Sequence, residues 1–461
     1  MPNRQLPWWK EPTKGQWAAF SAAWAGWVLD AFDFTIFLMV QNEIAKEFGV
    51  GLVSLSGSVT LTLIVRLAGG WVAGWMADKW GRKLPLMLSL LWFAVFDAAI
   101  YFAPSFMWVV ILRTIFGFGM GAEWTAGTAM AMENWPVRSR KIASGLLQAG
   151  WPIGFLLSAA VAHFVVPTYG WRAMFLIAAV PALLVFPIRF LVPDELSGKP
   201  VKGAAARSSG TFKDLMAPGI RQAIVLGSLV MGLGFLVYYG LTANYVPMLV
   251  GELGLDRSAA WFDVILFNLG MLVGVVAAGW VANRHGVVVA LVAPALLMIP
   301  ALPLYVGAVP ALLPLGAFLG GALGVGYSGV TPVLTTSLFP DHVRGRAIGV
   351  VYHVGAMIGA FAPVAISQLA ARTELKLSTA IALVAGISLL GMSLAVIALR
   401  KRIVVAVADH RPEGADHRPE TRAEAATASS TGLPPPAIAV DALIATESVQ
   451  RLSPSPRPSA S

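Results

Sequence analysis

Two aspartates lie inside an apolar stretch that is long enough to cross a lipid bilayer. Asp30 and Asp33 are about one helical turn apart in the sequence GWVLDAFDF at 26–34. A charged side chain at the centre of a bilayer costs roughly 3–15 kcal/mol, depending on the reference state, and such residues usually face the interior of a helix bundle. These two carboxyl groups therefore predict a site that handles protons or other ions.

Two arginines can reach these carboxyl groups. With a helical rise of ~1.5 Å per residue, Asp33 and Arg113 lie about 12 Å and about 10 Å from the same membrane face. Asp30 lies about 17 Å deep and Arg66 about 20 Å deep, close to the midplane. These depths allow an Asp33–Arg113 pair and an Asp30–Arg66 pair. Asp97 lies near the depth of Arg113 and competes for it.

An arginine and a carboxyl group in one buried site can couple an anion to a proton. Arginine has a planar fork that matches a carboxylate, so a substrate anion bound at Arg66 would release the neighbouring aspartate to take up a proton. We therefore assign Arg66 to substrate binding, and Asp30, Asp33 and Arg113 to proton coupling. The alternative is that these residues form static ion pairs that fix helix packing.

The composition shows that membrane helices must position these residues. The chain has 461 residues, 57% hydrophobic and only 12% charged, and its mean hydropathy is +0.72. Apolar stretches of about twenty residues, enough to span a ~30 Å hydrocarbon core, recur along most of the sequence. The net charge of +9 does not indicate nucleic-acid binding, because the basic residues fall between these stretches. The lack of cysteine excludes disulfides and thiolate chemistry.

We predict an all-α polytopic membrane protein with about twelve transmembrane helices. A first six-helix bundle occupies 16–192 and a second occupies 220–400; a linker lies at 193–219, an N-terminal segment at 1–15 and a disordered tail at 401–461. Basic residues collect before the first span, after the second, fourth and tenth, and after the last. Because short cytoplasmic loops collect Lys and Arg, this pattern places both termini in the cytoplasm.

The two halves repeat each other. GWMADKWG at 74–81 recurs as GWVANRHG at 279–286, and the pattern P-x3-R-x4-G at 136–145 recurs at 340–349. Parallel six-helix repeats around a midplane substrate site are the architecture of the major facilitator superfamily. The chain resembles that superfamily, and the resemblance implies two pseudo-symmetric bundles that work by alternating access.

The segment GWMADKWGRK at 74–83 resembles the loop signature of this superfamily between its second and third helices. Asp78 of this segment ends a helix and can pair with basic residues or helix ends across the cytoplasmic interface. In the second copy Asn283 replaces the acid, so only the first gate is expected to be charged. The alternative is that Arg82 and Lys83 merely anchor the topology. The residues that we assign to a cytoplasmic gate are Gly74, Asp78, Gly81, Arg82, Arg140 and Arg344.

The fourth span contains the glycine-rich run RTIFGFGMGAEW at 113–124. A phosphate-binding glycine loop should follow a strand and open a helix, whereas these glycines lie inside an apolar helix and permit close helix packing. The run resembles the fourth-helix motif of the superfamily, in which the arginine, here Arg113, takes part in proton coupling. Glu123 is predicted to be either a second proton station or a gate partner of Arg138 or Arg140.

Together with Arg66, ENWP at 133–136 and SGLLQ at 144–148, these motifs resemble the sialate–proton symporter group. That group includes bacterial sialic acid transporters and fungal lactate and pyruvate permeases. The resemblance is strong in the first half and generic in the second. The seventh span, 223–250, departs from it by lacking the Asn/Ser-His-Gln-Asp pattern of the fungal lactate permeases, so the substrate stays open within small organic acids.

Polar residues of the spans are candidates for contacts with a substrate hydroxyl or keto group. The repeat maps Tyr238 and Tyr239 onto Asp30 and Asp33, so the tyrosines should face the same cavity. Each residue could instead be a packing residue. His353 is a candidate proton carrier, because imidazole titrates near neutral pH, and Asp263 is expected to be solvated. The set assigned to the substrate is Arg66, Gln148, Tyr238, Tyr239, Asn244, Asn268 and Tyr352.

These features predict a proton-coupled uptake symporter for a small organic carboxylate, such as lactate, pyruvate or sialic acid, in a bacterial-type inner membrane. The alternatives are an aromatic acid or dicarboxylate symporter and, from another class, a membrane sensor that does not transport. We expect no enzyme activity, cofactor or metal, because the sequence offers neither a nucleophile nor a metal cluster. The expected partners are the anion, the proton and the bilayer, with no nucleic acid, and the chain is expected to be a monomer.

Overall fold

The structure, a computed structural model, describes residues 7–50, 52–179, 183, 190–191, 212–340 and 342–408. These residues form helices and no strand. Eleven helical segments in this part of the chain are long and apolar enough to cross a membrane, which confirms the all-α polytopic class. The predicted sixth span, 171–191, is described only in part. Most of the linker at 193–219 and of the tail at 401–461 lies outside the described residues.

The helices fall into two sets along the sequence. In the first half they are α1 (Lys14–Met39), α2 (Gln41–Phe48), α3 (Leu52–Trp80), α4 (Lys83–Ile100), α5 (Phe106–Glu133), α6 (Arg140–Gln148), α7 (Gly150–Tyr169) and α8 (Arg172–Ile177). In the second half they are α9 (Phe212–Leu215), α10 (Pro218–Thr242), α11 (Tyr245–Pro247), α12 (Arg257–His285), α13 (Val287–Tyr305), α14 (Leu313–Leu319), α15 (Thr331–Ser337), α16 (Arg344–Gly359), α17 (Ala362–Thr373) and α18 (Leu377–Ala408).

Local sequence signals set several helix ends. Thr13 and Gln16 form a capping box at the start of α1, in which each side chain accepts from the other residue's backbone N–H. Asp256 caps α12 by accepting from the Ala259 N–H at 2.8 Å. Hydrogen bonds from Ser258 and Ala259 lower the pKa of this exposed carboxyl, which therefore caps the helix as a carboxylate. Both caps use residue types that favour helix N-termini.

Glycine ends the two helices that the sequence repeat makes equivalent. Gly81 follows α3 with a φ of 88°, and Gly286 follows α12 with a φ of 89°. Residues with a side chain rarely adopt this left-handed region, so glycine is the residue that allows the chain to turn here. The repeated motif therefore specifies the same turn in both halves.

The glycines of the fourth span serve close packing, as the sequence predicted. A Cβ added to Gly117 would overlap the main chain of Thr62, and one added to Gly121 would overlap the main chain of Arg66. Helix α5 therefore lies directly against α3, which is the contact that small residues permit in membrane bundles. This contact brings Arg66 of α3 near Glu123 of α5.

Several spans are interrupted where they approach the centre of the bundle. Helix α6 ends and α7 begins just before Pro152, and α16 gives way to α17 just before Pro363. The tenth span contains a π-helical turn at Gly320–Val325 and a 3₁₀ turn at Gly326–Val330. Irregular backbone at membrane depth is tolerated where it lies inside the protein or lines a cavity. The interruptions therefore point to the middle of the molecule.

The two halves meet through paired backbone contacts at one end of the bundle, where α3 ends and α16 begins; we call it the gate end. A Cβ on Gly74 would lie 2.7 Å from the Gly345 carbonyl oxygen. A Cβ on Gly279 would lie 2.7 Å from the Lys141 carbonyl oxygen. The sequence repeat relates these two contacts, so α3 packs on α16 as α12 packs on α6. The gate end is closed in this structure.

We predict that Gly74→Val opens the gate end, because its side chain would overlap the main chain of α16. Such overlap costs about 1–3 kcal/mol. Since the chain has no cysteine, a single Ser144→Cys substitution gives a specific label at this interface. The maleimide reaction of that cysteine should be about tenfold faster in the Gly74→Val background.

The matched control for this experiment is Gly57→Val, also in α3, where an added Cβ meets nothing within 4 Å. It should leave the labelling rate of the cysteine unchanged. Equal rates in the two valine variants would contradict the role of the Gly74 contact in closure.

Candidate functional site

A cavity lies between the two halves and contains about 530 Å³ of space not filled by protein atoms, part of which is continuous with solvent. Half of the residues that line it are aromatic, and Arg66 is the charged side chain among them. The lining residues are Trp27, Arg66, Gln148, Trp151, Met231, Phe235, Tyr238, Tyr239, Met271, Val325, Tyr327, Ser328, Thr331 and Tyr352.

Arg66 and Asp30 form the ion pair that their depths allowed. Arg66 Nη2 lies 3.3 Å from Asp30 Oδ2, and the two side chains are 2% and 0% exposed. The guanidinium carbon lies 5.3 Å from the centre of the Tyr352 ring, which adds a cation–π contact. Arg66 Nε and Asp30 Oδ1 have no hydrogen-bond partner among the described residues, so the pair has spare capacity for another group.

Glu123 lies beside this pair and not at the gate. A Cβ on Gly26, one turn before Asp30, would be 2.7 Å from Glu123 Oε1, and Glu123 interacts electrostatically with Asp30 and Arg66. Arg138 and Arg140, the possible gate partners of Glu123, make other contacts. Arg138 pairs with Glu11 at 2.9 Å, and Arg140 donates to main-chain carbonyls near the end of α5. The alternative of a gate partner is therefore wrong in this conformation.

A second buried ion pair corrects one expectation. Arg113 Nη1 lies 3.1 Å from Asp97 Oδ1 and 3.3 Å from the main-chain carbonyl oxygen of Asp33. The Asp33 carboxyl oxygens have no hydrogen-bond partner in the described part of the chain. The predicted Asp33–Arg113 side-chain pair is thus replaced by Asp97–Arg113, because α4 presents Asp97 to Arg113 while α1 presents its backbone. Asp33 nevertheless stays within electrostatic reach of Arg113.

The aromatic side chains of the cavity contact one another across the two halves. Trp124 of α5 stacks on Tyr352 of α16 with ring centres 3.6 Å apart. Trp151 Nε1 of α7 donates to the Tyr238 hydroxyl of α10 at 2.9 Å. Trp27 packs against Trp151 with centres 4.8 Å apart. A flat apolar group bound here would replace aromatic contacts that already join the halves.

Five of the seven residues predicted for the substrate line this cavity, and two do not. Asn244 donates to the Pro363 carbonyl at 3.2 Å, and Asn268 donates to the Val264 carbonyl of its own helix at 2.9 Å. These two amides satisfy backbone acceptors instead. Asp263 is buried, 2% exposed, so the expectation that it is solvated is wrong.

His353 lies at the contact between the halves. Its Nε2 donates to the Gly121 carbonyl at 3.0 Å and lies 3.4 Å from Thr125 Oγ1, while Nδ1 has no partner among the described residues. This histidine is thus hydrogen-bonded in the structure, and its proton-carrying role stays a prediction.

At the gate end, Glu133 contacts both halves. It pairs with Arg82 of its own half at 3.0 Å and with Arg344 of the other half at 3.6 Å. Arg140 Nε and Arg344 Nε, which the repeat makes equivalent, each donate to the carbonyl five residues earlier, at 3.2 and 3.1 Å. The side chain of Asp78 lies outside the described residues. The gate assignment thus missed Glu133, although the ENWP motif contains it.

Most aromatic members of the wall were also missed. Trp27, Trp151, Phe235 and Tyr327 are the main examples. Hydropathy cannot distinguish an aromatic residue that faces a cavity from one that faces lipid, since both are apolar. A usable signal was the position of Trp27 and Trp151, which flank Asp30 and Gln148 at helical spacing.

Comparison with known proteins gives consistent matches. The family model described as Major Facilitator Superfamily matches residues 23–274. The chain is 28% identical over 361 residues to the cis,cis-muconate transport protein of Acinetobacter baylyi, covering 76% of this chain and 87% of that protein. It is 28% identical over 368 residues to the sialic acid transporter NanX of Escherichia coli, covering 77% and 88%.

A solved structure has the same fold. The proton:xylose symporter XylE, bound to 6-bromo-6-deoxy-D-glucose, superposes with a TM-score of 0.69 over 84% of this chain and 96% of that one. The sequence identity of that pair is 18%, so this match supports the architecture alone.

We predict that Glu133→Gln weakens closure of the gate end and lowers the thermal unfolding midpoint in detergent by about 3 °C or more. Glu133 is only 16% exposed and serves two arginines, so its neutral replacement leaves both cations less well compensated. Glu11→Gln is the control, because Glu11 is buried to a similar degree, 11% exposed, but pairs with one arginine that is itself 52% exposed. That variant should change the midpoint by about 1 °C at most, and an equal shift in both variants would contradict the bridging role.

Proposed function

Because the chain belongs to the major facilitator superfamily, we propose that it takes up a small organic carboxylate together with protons by alternating access. It is a multi-pass inner-membrane protein and not an enzyme. The observation that carries the proposal is Arg66, a buried cation on the wall of a cavity between the two halves.

Arg66 is the binding group for the substrate carboxylate. The guanidinium can form two parallel hydrogen bonds with a carboxylate, and its Nε has no partner among the described residues. A bound anion competes with Asp30 for the same cation. Asp30 then loses its compensating charge and takes up a proton, because an unpaired charge in the bundle interior is costly. Anion binding and protonation thus favour each other.

Asp33, Asp97 and Arg113 provide the second part of the proton route. Asp33 lies about one turn from Asp30 on α1, and its carboxyl oxygens have no partner among the described side chains. Two carboxyl groups on adjacent turns of one helix can exchange a proton through a short path. Arg113 holds Asp97 and reaches the backbone of Asp33, which fixes this route relative to α5.

A second, narrower proposal is that the substrate is an aromatic or conjugated organic acid. Half of the residues that line the cavity are Trp, Tyr or Phe, and they surround one arginine. Such a wall favours a flat π-system, which lactate, pyruvate and sialic acid lack. The muconate transporter among the relatives is in keeping with this choice. Tyr238, Tyr239 and Gln148 supply hydrogen-bonding groups for a substituent on such an acid.

Release to the other side requires the gate end to open. Opening would separate Glu133 from Arg344 and roll α3 over α16 at the Gly74 contact. We propose that the gate end faces the cytoplasm, in line with the basic residues that collect at its loops.

We predict that Arg66→Gln lowers the affinity for the transported carboxylate by about 100-fold, since a hydrogen bond to a charged group contributes up to about 3 kcal/mol. Binding can be measured by tryptophan quenching in detergent with lactate, pyruvate, sialate, benzoate and succinate. Arg221→Gln, an exposed arginine at the start of α10, is the matched control and should bind like the parent. Unchanged affinity in the Arg66 variant would exclude it as the anion site.

Coupling is tested by uptake into proteoliposomes. An external pH below the internal pH should drive saturable uptake of at least one acid of this panel above the level of protein-free liposomes, with no requirement for sodium. Asp33→Asn should abolish the effect of the pH gradient while substrate exchange persists. The buried Asp263, outside the cavity lining, provides the control Asp263→Asn, which should behave like the parent. Sodium-driven and pH-independent uptake would overturn proton coupling.

A further inference from the structure

Two acids share the single arginine of the cavity. Asp30 of α1 is paired with Arg66 of α3 at 3.3 Å, and Glu123 of α5 interacts with both residues. Glu123 is 1% exposed, and its Oε2 has no hydrogen-bond partner among the described residues. Asp30 Oδ1 is likewise without a partner there. The cluster thus holds one cation and two carboxyl groups next to the ligand space.

Arg113 and Asp33 also lie within electrostatic reach of Asp30. Arg113 pairs with Asp97 at 3.1 Å, so its charge is already balanced.

The other described groups that face the cluster are hydroxyl groups and a histidine. Helix α16 contributes Tyr352 and His353, and α10 contributes Tyr239. His353 donates through Nε2 to the Gly121 carbonyl, and its Nδ1 has no partner there. These groups accept or donate hydrogen bonds without balancing a second carboxylate.

The remaining helices around Glu123 add no charge to the cluster. Helix α4 approaches with Leu86, which lies 3.5 Å from the Cβ position of Gly26. Arg140 of α6 is held at the end of α5 by the carbonyls of Glu133 and Trp135. The part of α15 that packs on α5 is uncharged. Since Asp97 balances Arg113, the charge of the cluster is set by Arg66, Asp30 and Glu123.

We propose that Asp30 and Glu123 together hold one proton when the cavity is empty and two when a carboxylate occupies Arg66, so that either acid alone suffices to bind the substrate-linked proton. The inference rests on the proposed function and deepens it. One cation balances one carboxylate in a desolvated site. A bound anion balances Arg66 instead of that carboxylate, so the cluster must bind one more proton. The second acid acts as a duplicate acceptor.

A consequence is that the loaded and empty sites carry the same net charge. A monocarboxylate then crosses with one proton, and the cycle moves no net charge at this site. The second acid also keeps one protonated carboxyl group beside Arg66 when the cavity is empty.

The experiment measures proton uptake during binding, using the full-length protein in detergent, weak buffer and a pH-indicator dye. The probe is benzoate, or whichever monocarboxylate of the panel the parent takes up. Parent and Glu123→Gln should each bind about one proton per anion, and their Kd should rise about tenfold per pH unit at alkaline pH. The double variant Asp30→Asn/Glu123→Gln should bind no proton and show a pH-independent Kd.

The matched control is Glu252→Gln/Asp263→Asn, which makes the same two kinds of substitution outside the cavity lining and should behave like the parent. Anion binding without proton uptake by the parent, loss of proton uptake in Glu123→Gln alone, or retention of it in the double variant would each overturn the inference. Should the double variant not fold, parent and Glu123→Gln still decide, since a flat Kd in either contradicts it. Lack of saturable uptake of every acid by the parent would instead overturn the proposed function.

Discussion

The Arg66–Asp30 ion pair is the constraint around which the centre of this protein is built. A guanidinium buried among apolar helices needs a compensating charge, a closely packed backbone and an aromatic face. Each need is met by a different helix: α1 provides Asp30, α5 provides Gly121 against the main chain of Arg66, and α16 provides Tyr352. Because three helices from both halves converge on one side chain, any change at Arg66 is felt at the contact between the halves.

The repeat gives the halves the same scaffold but different chemistry. The charged residues of the cavity region, Arg66, Asp30 and Glu123, come from the first half, whereas Tyr238, Tyr239, Tyr327 and Tyr352 come from the second. The first half thus supplies the charged groups of the cavity region, and the second half supplies tyrosines. Pseudo-symmetry places the two kinds of group on opposite sides of the cavity.

Much of the fold could be predicted from the sequence, because its signals are local. Apolar stretches identified the spans, and the repeated motif marked equivalent segments of the two halves, which the structure shows to end in glycine turns after α3 and α12. The site was predicted only in part. Depth along a helix located Asp30 and Arg66 but could not show rotation about the helix axis, and rotation is what gives Arg113 to Asp97 and turns Asn268 onto its own backbone. The aromatic residues of the cavity wall were not predicted for the same reason, since an apolar ring can face either lipid or a cavity.

The backbone contacts at Gly74 and Gly279 have a consequence for how fast the molecule can cycle. Where helices meet through interlocked side chains, any tilt must pass through a series of rotamer exchanges, each with its own barrier. At Gly74 and Gly279 the main chains of two helices are in direct contact, at positions related by pseudo-symmetry. The angle between these helices can therefore change without rotamer exchange of interlocked side chains. The two glycines therefore allow the helices to tilt at these contacts, and we expect the main barrier to the conformational change to come from the charged and aromatic contacts between the halves.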